Sequence, residues 1–263
     1  MDPRGRVAVV TGAAGGIGGA LVRALLAAGA HTVIATDLRE SDIVAGDRVV
    51  AQALDVGDEA ATIALVDEVE MAYGPIDLWF ANAGLAVGGG ADAPDELWAN
   101  QWRVNVMAHV YASRALLPGW IERGEGHLVT TASMAGILTS LGDGVYAATK
   151  HAALGFAEWM AITHAAQGIK VSCICPGAVD TAMLRGSLGD ATKAAAIIGG
   201  GGVLTPDQAA ERVLTAVIAD EFLIYTHPEL KEFAVRKTDD TDRWIRGMSR
   251  LWTRSQELLG DGA

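Results

Sequence analysis

Apolar and polar positions along this 263-residue chain sort it into short strands and longer helices. Val7–Val10 is a β-branched run followed directly by glycines, after which Ala20, Leu21, Ala24, Leu25 and Ala28 recur at helical spacing up to Gly29. HTVIATD (His31–Asp37) is a second apolar run ending on an acid. The pattern predicts further strands near Arg48–Ala53, at Ile76–Ala81 and His127–Ser133, in KVSCICPG (Lys170–Gly177) and at Phe222–Thr226. Helices are predicted near Glu59–Tyr73, from about Asp95 to Trp120, and over Val145–Gln167. Strands separated by long helices need right-handed crossovers, so the expected fold class is α/β: a doubly wound parallel sheet with helices on both faces.

No repeat or linker interrupts the pattern, and one domain over 1–263 is expected. GGGAD (Gly88–Asp92) and GGGG (Gly199–Gly202) read as loops inside it, and segment 183–204 as a lid over a substrate. A C-terminal helical extension is expected over 227–263. There Trp244, Met248, Leu251 and Trp252 share one face while Arg243, Arg246, Arg250 and Arg254 trace another. That spacing reads as a helix packing its tryptophans on the core with a solvated basic side.

Composition narrows the partners. Apolar residues make up 51% and charged residues 20%, a globular balance. With 20 basic and 32 acidic side chains the net charge is −12, a field that repels phosphate backbones and argues against nucleic acid. No run of about 18 apolar residues is present, so no membrane span is expected. The opening MDPRGRVAVV has no signal-peptide core, and a cytoplasmic protein is expected. Cys173 and Cys175 fall on one face of a strand and read as buried free thiols of a reducing compartment. No histidine pair has metal spacing, no Ser-His-Asp set competes, and no metal is expected; His151 reads as helix surface or packing.

The chemistry starts in VAVVTGAAGGIGGAL (Val7–Leu21), where Gly12, Gly15, Gly16, Gly18 and Gly19 crowd into eight residues. A strand that passes through glycines into a helix makes an anion site, because the first helical N–H groups lack internal partners. The spacing T-G-x-x-x-G-x-G, Thr11 to Gly18, lacks the Lys-Ser/Thr of a nucleoside-triphosphate loop. Asp37 ends the second strand, 19 residues beyond Gly18, where a carboxylate accepts hydrogen bonds from an adenosine ribose. A 2′-phosphate about 5 Å away would meet about 3 kcal/mol of repulsion per unit charge at an effective dielectric near 20. The glycine loop holds no base, Leu38 follows the acid, and Arg39 is the one base nearby. The expected cofactor is NAD(H) rather than NADP(H).

Tyr146 and Lys150, in VYAATKHAAL, are four apart and share a helix face; Ser133 ends the preceding strand in TTASMAG. In an open parallel sheet these positions gather with the glycine loop at the carboxyl ends of the strands. For Tyr146 to work near neutrality its phenol must be lowered from pH 10 by about 3–4 kcal/mol. One ammonium about 4 Å away in a partly dry site supplies that. Lys150 is thus expected to make Tyr146 a general acid/base, with Ser133 bonding the oxygen of a carbonyl or alcohol.

Together these motifs resemble the short-chain dehydrogenase/reductase family, of the shorter single-domain kind, over residues 5–226. The resemblance implies a Rossmann-like fold with TGAAGGIG as the cofactor loop, and nucleotide contact by Gly12, Gly16, Ile17 and Gly18. LDV (Leu54–Val56) resembles the adenine-contacting Asp-Val, giving Asp55 and Val56. ANAG (Ala81–Gly84) resembles the Asn-Asn-Ala-Gly element with Ala81 in place of the first Asn, leaving Asn82, Ala83 and Gly84 to border the cofactor. The same likeness makes Asn105, Ser133, Tyr146 and Lys150 the catalytic set. In it Asn105 holds a water of the proton relay and Lys150 also binds the nicotinamide ribose, with Tyr146 beside the ring. PGAVDT (Pro176–Thr181) resembles the segment whose Pro176, Gly177, Val179 and Thr181 hold the nicotinamide end. It further implies a homotetramer built on the helices Asp95–Trp120 and Val145–Gln167. The expected reaction moves a hydride between NAD(H) and a hydrophobic secondary alcohol or ketone. The alternatives are an NADPH-dependent 3-ketoacyl-carrier reductase and a non-catalytic nucleotide sensor.

Overall fold

The computed structural model describes residues 1–187 and 202–260. Seven strands form one sheet: β1 (Val7–Thr11), β2 (Thr32–Asp37), β3 (Val49–Ala53), β4 (Ile76–Ala81), β5 (Gly126–Thr131), β6 (Ile169–Cys175) and β7 (Leu223–Tyr225). Every neighbouring pair is parallel and the order is β3-β2-β1-β4-β5-β6-β7. The chain builds outward from β1 to β3, then returns across β1 and builds the other way. The reversal between β1 and β4 opens a crevice at the strand ends.

Two apolar layers cover the sheet. On one face α2 (Glu59–Tyr73) contributes Leu65, Val66 and Val69 to a cluster that also holds Leu116, Trp120, Ala157 and Met160. On the other, Leu21 and Leu25 of α1 (Gly16–Ala27) meet Val213 and Val217 of α8 (Pro206–Ile218). Helix starts follow local chemistry: Asp58 caps α2 by accepting from Ala61 N at 3.0 Å. Thr205 and Gln208 form a reciprocal capping box on α8, with Pro206 at its first position.

The helix predicted from Asp95 to Trp120 is interrupted. α3 (Asp95–Trp102) widens into a π turn over Arg103–Met107 before α4 (Ala108–Arg123) resumes. α5 (Ala135–Leu138) follows β5, and α6 (Gly144–His164) is the long helix of Tyr146. α7 (Ala182–Ser187) opens the segment expected as a lid, most of which lies outside the described residues. No described helix is long and apolar enough to cross a membrane.

The tail is two helices, α9 (Leu230–Asp239) and α10 (Thr241–Gly260). They part at Asp240, which accepts from Arg243 N at 2.8 Å. α9 is anchored by buried Leu230 and by a hydrogen bond from Lys237 Nζ to the Ile137 carbonyl of α5. The expected inward packing of the α10 apolar face on the core is corrected: Trp244, Met248 and Leu251 border an open cavity instead. α10 stands on α9, with Phe233 and Trp244 ring centroids 6.3 Å apart, so that face looks across a gap rather than onto the sheet.

Candidate active site

A cavity of about 970 Å³ follows the carboxyl ends of the strands. Its middle is the β1–α1 turn. Gly12 and Gly16 have φ of +68° and +55°, which only glycine adopts without strain. A Cβ on Gly12 would lie 2.9 Å from Ala83 Cα, and one on Gly18 would overlap the Gly12 carbonyl oxygen. Gly15 has open space around it, and the first turn of α1 has neither a side-chain cap nor an acidic residue. Those unpartnered N–H groups form a cradle suited to a pyrophosphate.

The loop is held from behind by Asn82. Its Nδ2 donates to Thr11 O at 3.0 Å, and the Asn82 and Ala83 N–H groups both donate to Thr11 Oγ1 at 3.0 Å. Asn82 therefore lines the cavity while its amide side chain is spent on β1. Gly18 is packed behind the loop rather than along the cavity wall.

At the end formed by β2 and β3, Asp37 Oδ2 accepts from Ala14 N at 3.0 Å and Oδ1 from Leu38 N at 2.8 Å. Arg39 turns to Asp42, 2.7 Å away, whose hydrogen bond raises its pKa. Asp55 and Val56 line the same end. Burial alone would raise the Asp55 carboxyl pKa, but hydrogen bonds from Arg103 and Gly57 N outweigh it and the net shift is downward. Arg103, which sequence reasoning passed over, also borders this end. It stands at the first position of the π turn.

At the other end, Ser133 follows β5 and Tyr146 sits on the first turn of α6. Asp143 caps that helix by accepting from Tyr146 N at 3.1 Å. Ser133 and Tyr146 are joined side chain to side chain, and Ser133 Oγ accepts from Ala135 N at 3.0 Å. Lys150 is buried, its Nζ donating to Thr131 O at 2.9 Å and lying 5.7 Å from the Tyr146 ring centroid. Desolvation lowers its pKa to about 8. The expected depression of the phenol by Lys150 is absent in the protein alone. Burial pushes the Tyr146 hydroxyl up, the Ser133 hydrogen bond offsets only part of that, and the Asp143 charge adds to the rise. The ammonium is held on the Thr131 carbonyl, so its field does not prevail at the phenol oxygen.

Asn105 lies within the π turn, wholly buried behind Gly84 and off the cavity wall. Its Oδ1 accepts from Leu85 N at 2.8 Å, and its Nδ2 donates to Leu85 O at 2.9 Å and to Thr149 Oγ1 at 3.0 Å. A Cβ on Gly84 would come within 3.3 Å of both Asn105 Oδ1 and Lys150 Nζ, so glycine leaves the ammonium uncrowded. Pro176, Gly177, Val179 and Thr181 complete this end with Ile17. Gly177 N donates to Thr226 Oγ1 at 3.1 Å, and Val179 is bridged to Leu204. Cys173 and Cys175 are free and buried in β6, and His151 bonds back to Ala147 O at 2.8 Å.

With that geometry the comparisons agree. The chain belongs to the short chain dehydrogenase family, whose profile matches residues 6–191, and it is an oxidoreductase of that family with its seven-stranded parallel fold. The 1-deoxy-11-beta-hydroxypentalenate dehydrogenase of Streptomyces avermitilis is 34% identical over 263 residues, covering 94% of each chain. A short chain dehydrogenase/reductase from Burkholderia phymatum, solved in complex with NAD, superposes with a TM-score of 0.83 at 26% identity, over 92% of this chain and 96% of that one. A short chain dehydrogenase from Burkholderia cenocepacia in complex with NADP superposes at 0.80 and 25% identity, over 95% and 99%.

Proposed function

We propose that the protein is an NAD(H)-dependent dehydrogenase of a hydrophobic secondary alcohol, or reductase of its ketone. The observation that carries the reading is one cavity holding the glycine cradle at its middle and the Ser133, Tyr146 and Lys150 side chains at one end. The residues fit a nicotinamide dinucleotide: a Cβ at Gly16 would press to 3.0 Å from the Thr181 methyl on the cavity wall, and one at Gly84 would crowd the Lys150 ammonium at the reactive end. Gly12, Gly16 and Ile17 would hold the pyrophosphate, Asp37 the adenosine ribose, Asp55 and Val56 the adenine. Lys150 with Pro176, Gly177, Val179 and Thr181 would hold the nicotinamide riboside. Such a dinucleotide supplies or accepts the hydride.

The chain's own residues handle the oxygen and its proton. Ser133 holds the substrate oxygen; Tyr146 Oη takes the proton from an alcohol or returns it to a ketone oxygen. Lys150 carries charge beside the tyrosine, and Asn105 fixes the Leu85 backbone and the Thr149 hydroxyl around it.

Charge supports NAD over NADP. The two bases near the adenosine end, Arg39 and Arg103, are each neutralised by their own carboxylate, Asp42 and Asp55, while the Asp37 carboxylate lines the groove. A 2′-phosphate would meet that carboxylate with no unclaimed cation among the described lining residues at this end. The wall beyond Tyr146 supports an apolar substrate, for Leu138, Phe233, Trp244, Met248 and Leu251 all border it. The same reading gives a homo-oligomer, a tetramer by family likeness; α6 leaves Trp159 54% and Ile162 80% exposed, an apolar surface suited to another copy.

The test is a panel of secondary alcohols and ketones with NAD(H) and NADP(H), followed by nicotinamide absorbance. Turnover of apolar secondary alcohols with NAD is expected. A protein that binds NADH yet turns over no alcohol or ketone is not this enzyme.

A further inference from the structure

Arg103 has no part in the reading above beyond being neutralised, yet its geometry is specific. Its Nη1 lies 2.9 Å from each oxygen of Asp55, and its Nη2 donates to Asn100 Oδ1 at 3.3 Å. Gly57 N donates to Asp55 Oδ1 at 2.9 Å. Oδ1 therefore carries two donors and Oδ2 one, which leaves Oδ2 an open acceptor position on a carboxylate held from two sides. Asp55 and Arg103 are both part-exposed into the cavity, beside Leu38 and Val56, whose apolar side chains suit the faces of a planar base. The Arg103 side chain also lies over Gly57, where any Cβ would overlap the guanidinium.

We propose that Arg103 is a positioning residue that fixes the Asp55 carboxylate so that it selects a purine bearing an exocyclic 6-amino donor. This rests on the dinucleotide reading, which already sets Asp55 against the adenine, and adds to it the residue that holds that carboxylate in place. A carboxylate free to rotate hydrogen-bonds water as well as an amine; one clamped by a guanidinium and a backbone N–H keeps one acceptor aimed. Hypoxanthine offers a carbonyl where adenine offers an amino group, and two acceptors repel. Discrimination between the two bases is therefore the readout that belongs to Arg103. Because guanidinium and carboxylate are half in solvent, their mutual attraction adds little to stability.

The test compares Kd for NADH and for reduced nicotinamide hypoxanthine dinucleotide, by quenching of intrinsic tryptophan fluorescence. The native protein, Arg103→Met, Arg103→Lys and Asp55→Ala are measured. Methionine keeps an apolar stem over Gly57 and removes the guanidinium. Because a ratio of two constants on one preparation reports only folded molecules, partial loss of folding leaves it intact. The native protein is expected to prefer NADH, and Arg103→Met to shrink that preference about tenfold, as loss of one hydrogen bond to a charged acceptor does. Arg103→Lys, which restores a donor, is expected between the two. In Asp55→Ala the preference should vanish, and adding Arg103→Met should change nothing more. An unchanged ratio in Arg103→Met, with both ligands weakened alike, overturns the proposal. A native protein that binds neither ligand overturns the dinucleotide reading instead.

Discussion

The Lys150 ammonium lies 5.7 Å from the centre of the Tyr146 ring and bonds not to the phenol but to the Thr131 carbonyl, 2.9 Å away. One buried base thus serves a backbone acceptor while its charge stands beside the tyrosine. That arrangement sets the first two predictions.

Lys150 titrates near 8 in the folded protein because burial disfavours its charge, against 10.5 for a free side chain. Between those values the unfolded chain binds the proton and the folded one does not, so this group makes stability rise with pH from about 8 to 10.5. The stability of native protein minus that of Lys150→Met is expected to increase by about 3 kcal/mol across that window. Urea unfolding of both at pH 7 and pH 10 measures it; a difference that falls with pH contradicts the assignment.

Tyr146→Phe removes the group that moves the proton and leaves the glycine cradle untouched. Turnover is expected to drop by about 10²–10⁴-fold, the usual worth of a positioned general acid or base. NADH affinity should stay within about twofold. Retention of most of kcat would assign the proton to another residue.

Asp37→Ala removes the carboxylate from the adenosine end but also frees Ala14 N. NAD binding should weaken, and the NAD-to-NADP ratio of Kd values should shift about a hundredfold toward NADP, as expected for about 3 kcal/mol of relieved repulsion. Titration with both cofactors checks it, and a constant ratio would place the selectivity elsewhere.

Trp244→Ala opens the apolar wall at the substrate end. The ratio of kcat/KM for a decalin-sized ketone to that for cyclohexanone is expected to fall about tenfold, the value of a partly buried aromatic face. If the ratio holds, α10 does not touch the substrate.

Much of this was legible in the chain. The β-branched runs gave the strands, because both faces of a parallel sheet are covered and the runs need no polar partner positions. The glycines, Asp37, Ser133, Tyr146 and Lys150 lie in motifs whose spacing is local. The π turn was not legible: Val104, Ala108 and Ala112, each four apart, keep a helical apolar spacing across it, and one widened turn leaves no mark on that spacing. Arg103 was missed with it, because its partner Asp55 lies 48 residues away. For α10, spacing marked an apolar face correctly but could not say whether it met core or cavity. The phenol's upward shift was invisible for a similar reason: four residues on a helix fix neighbourhood, not which acceptor the ammonium takes.

The widened turn of Arg103–Met107 has a mechanical consequence. It carries Arg103 against Asp55 at the adenosine end of the groove and Asn105, with its grip on Leu85 and Thr149, in the buried layer behind Gly84 and Lys150. Straightening it by deleting a single residue would rotate both side chains at once. Base reading and proton handling would then be lost together, as the two arms of one rocker.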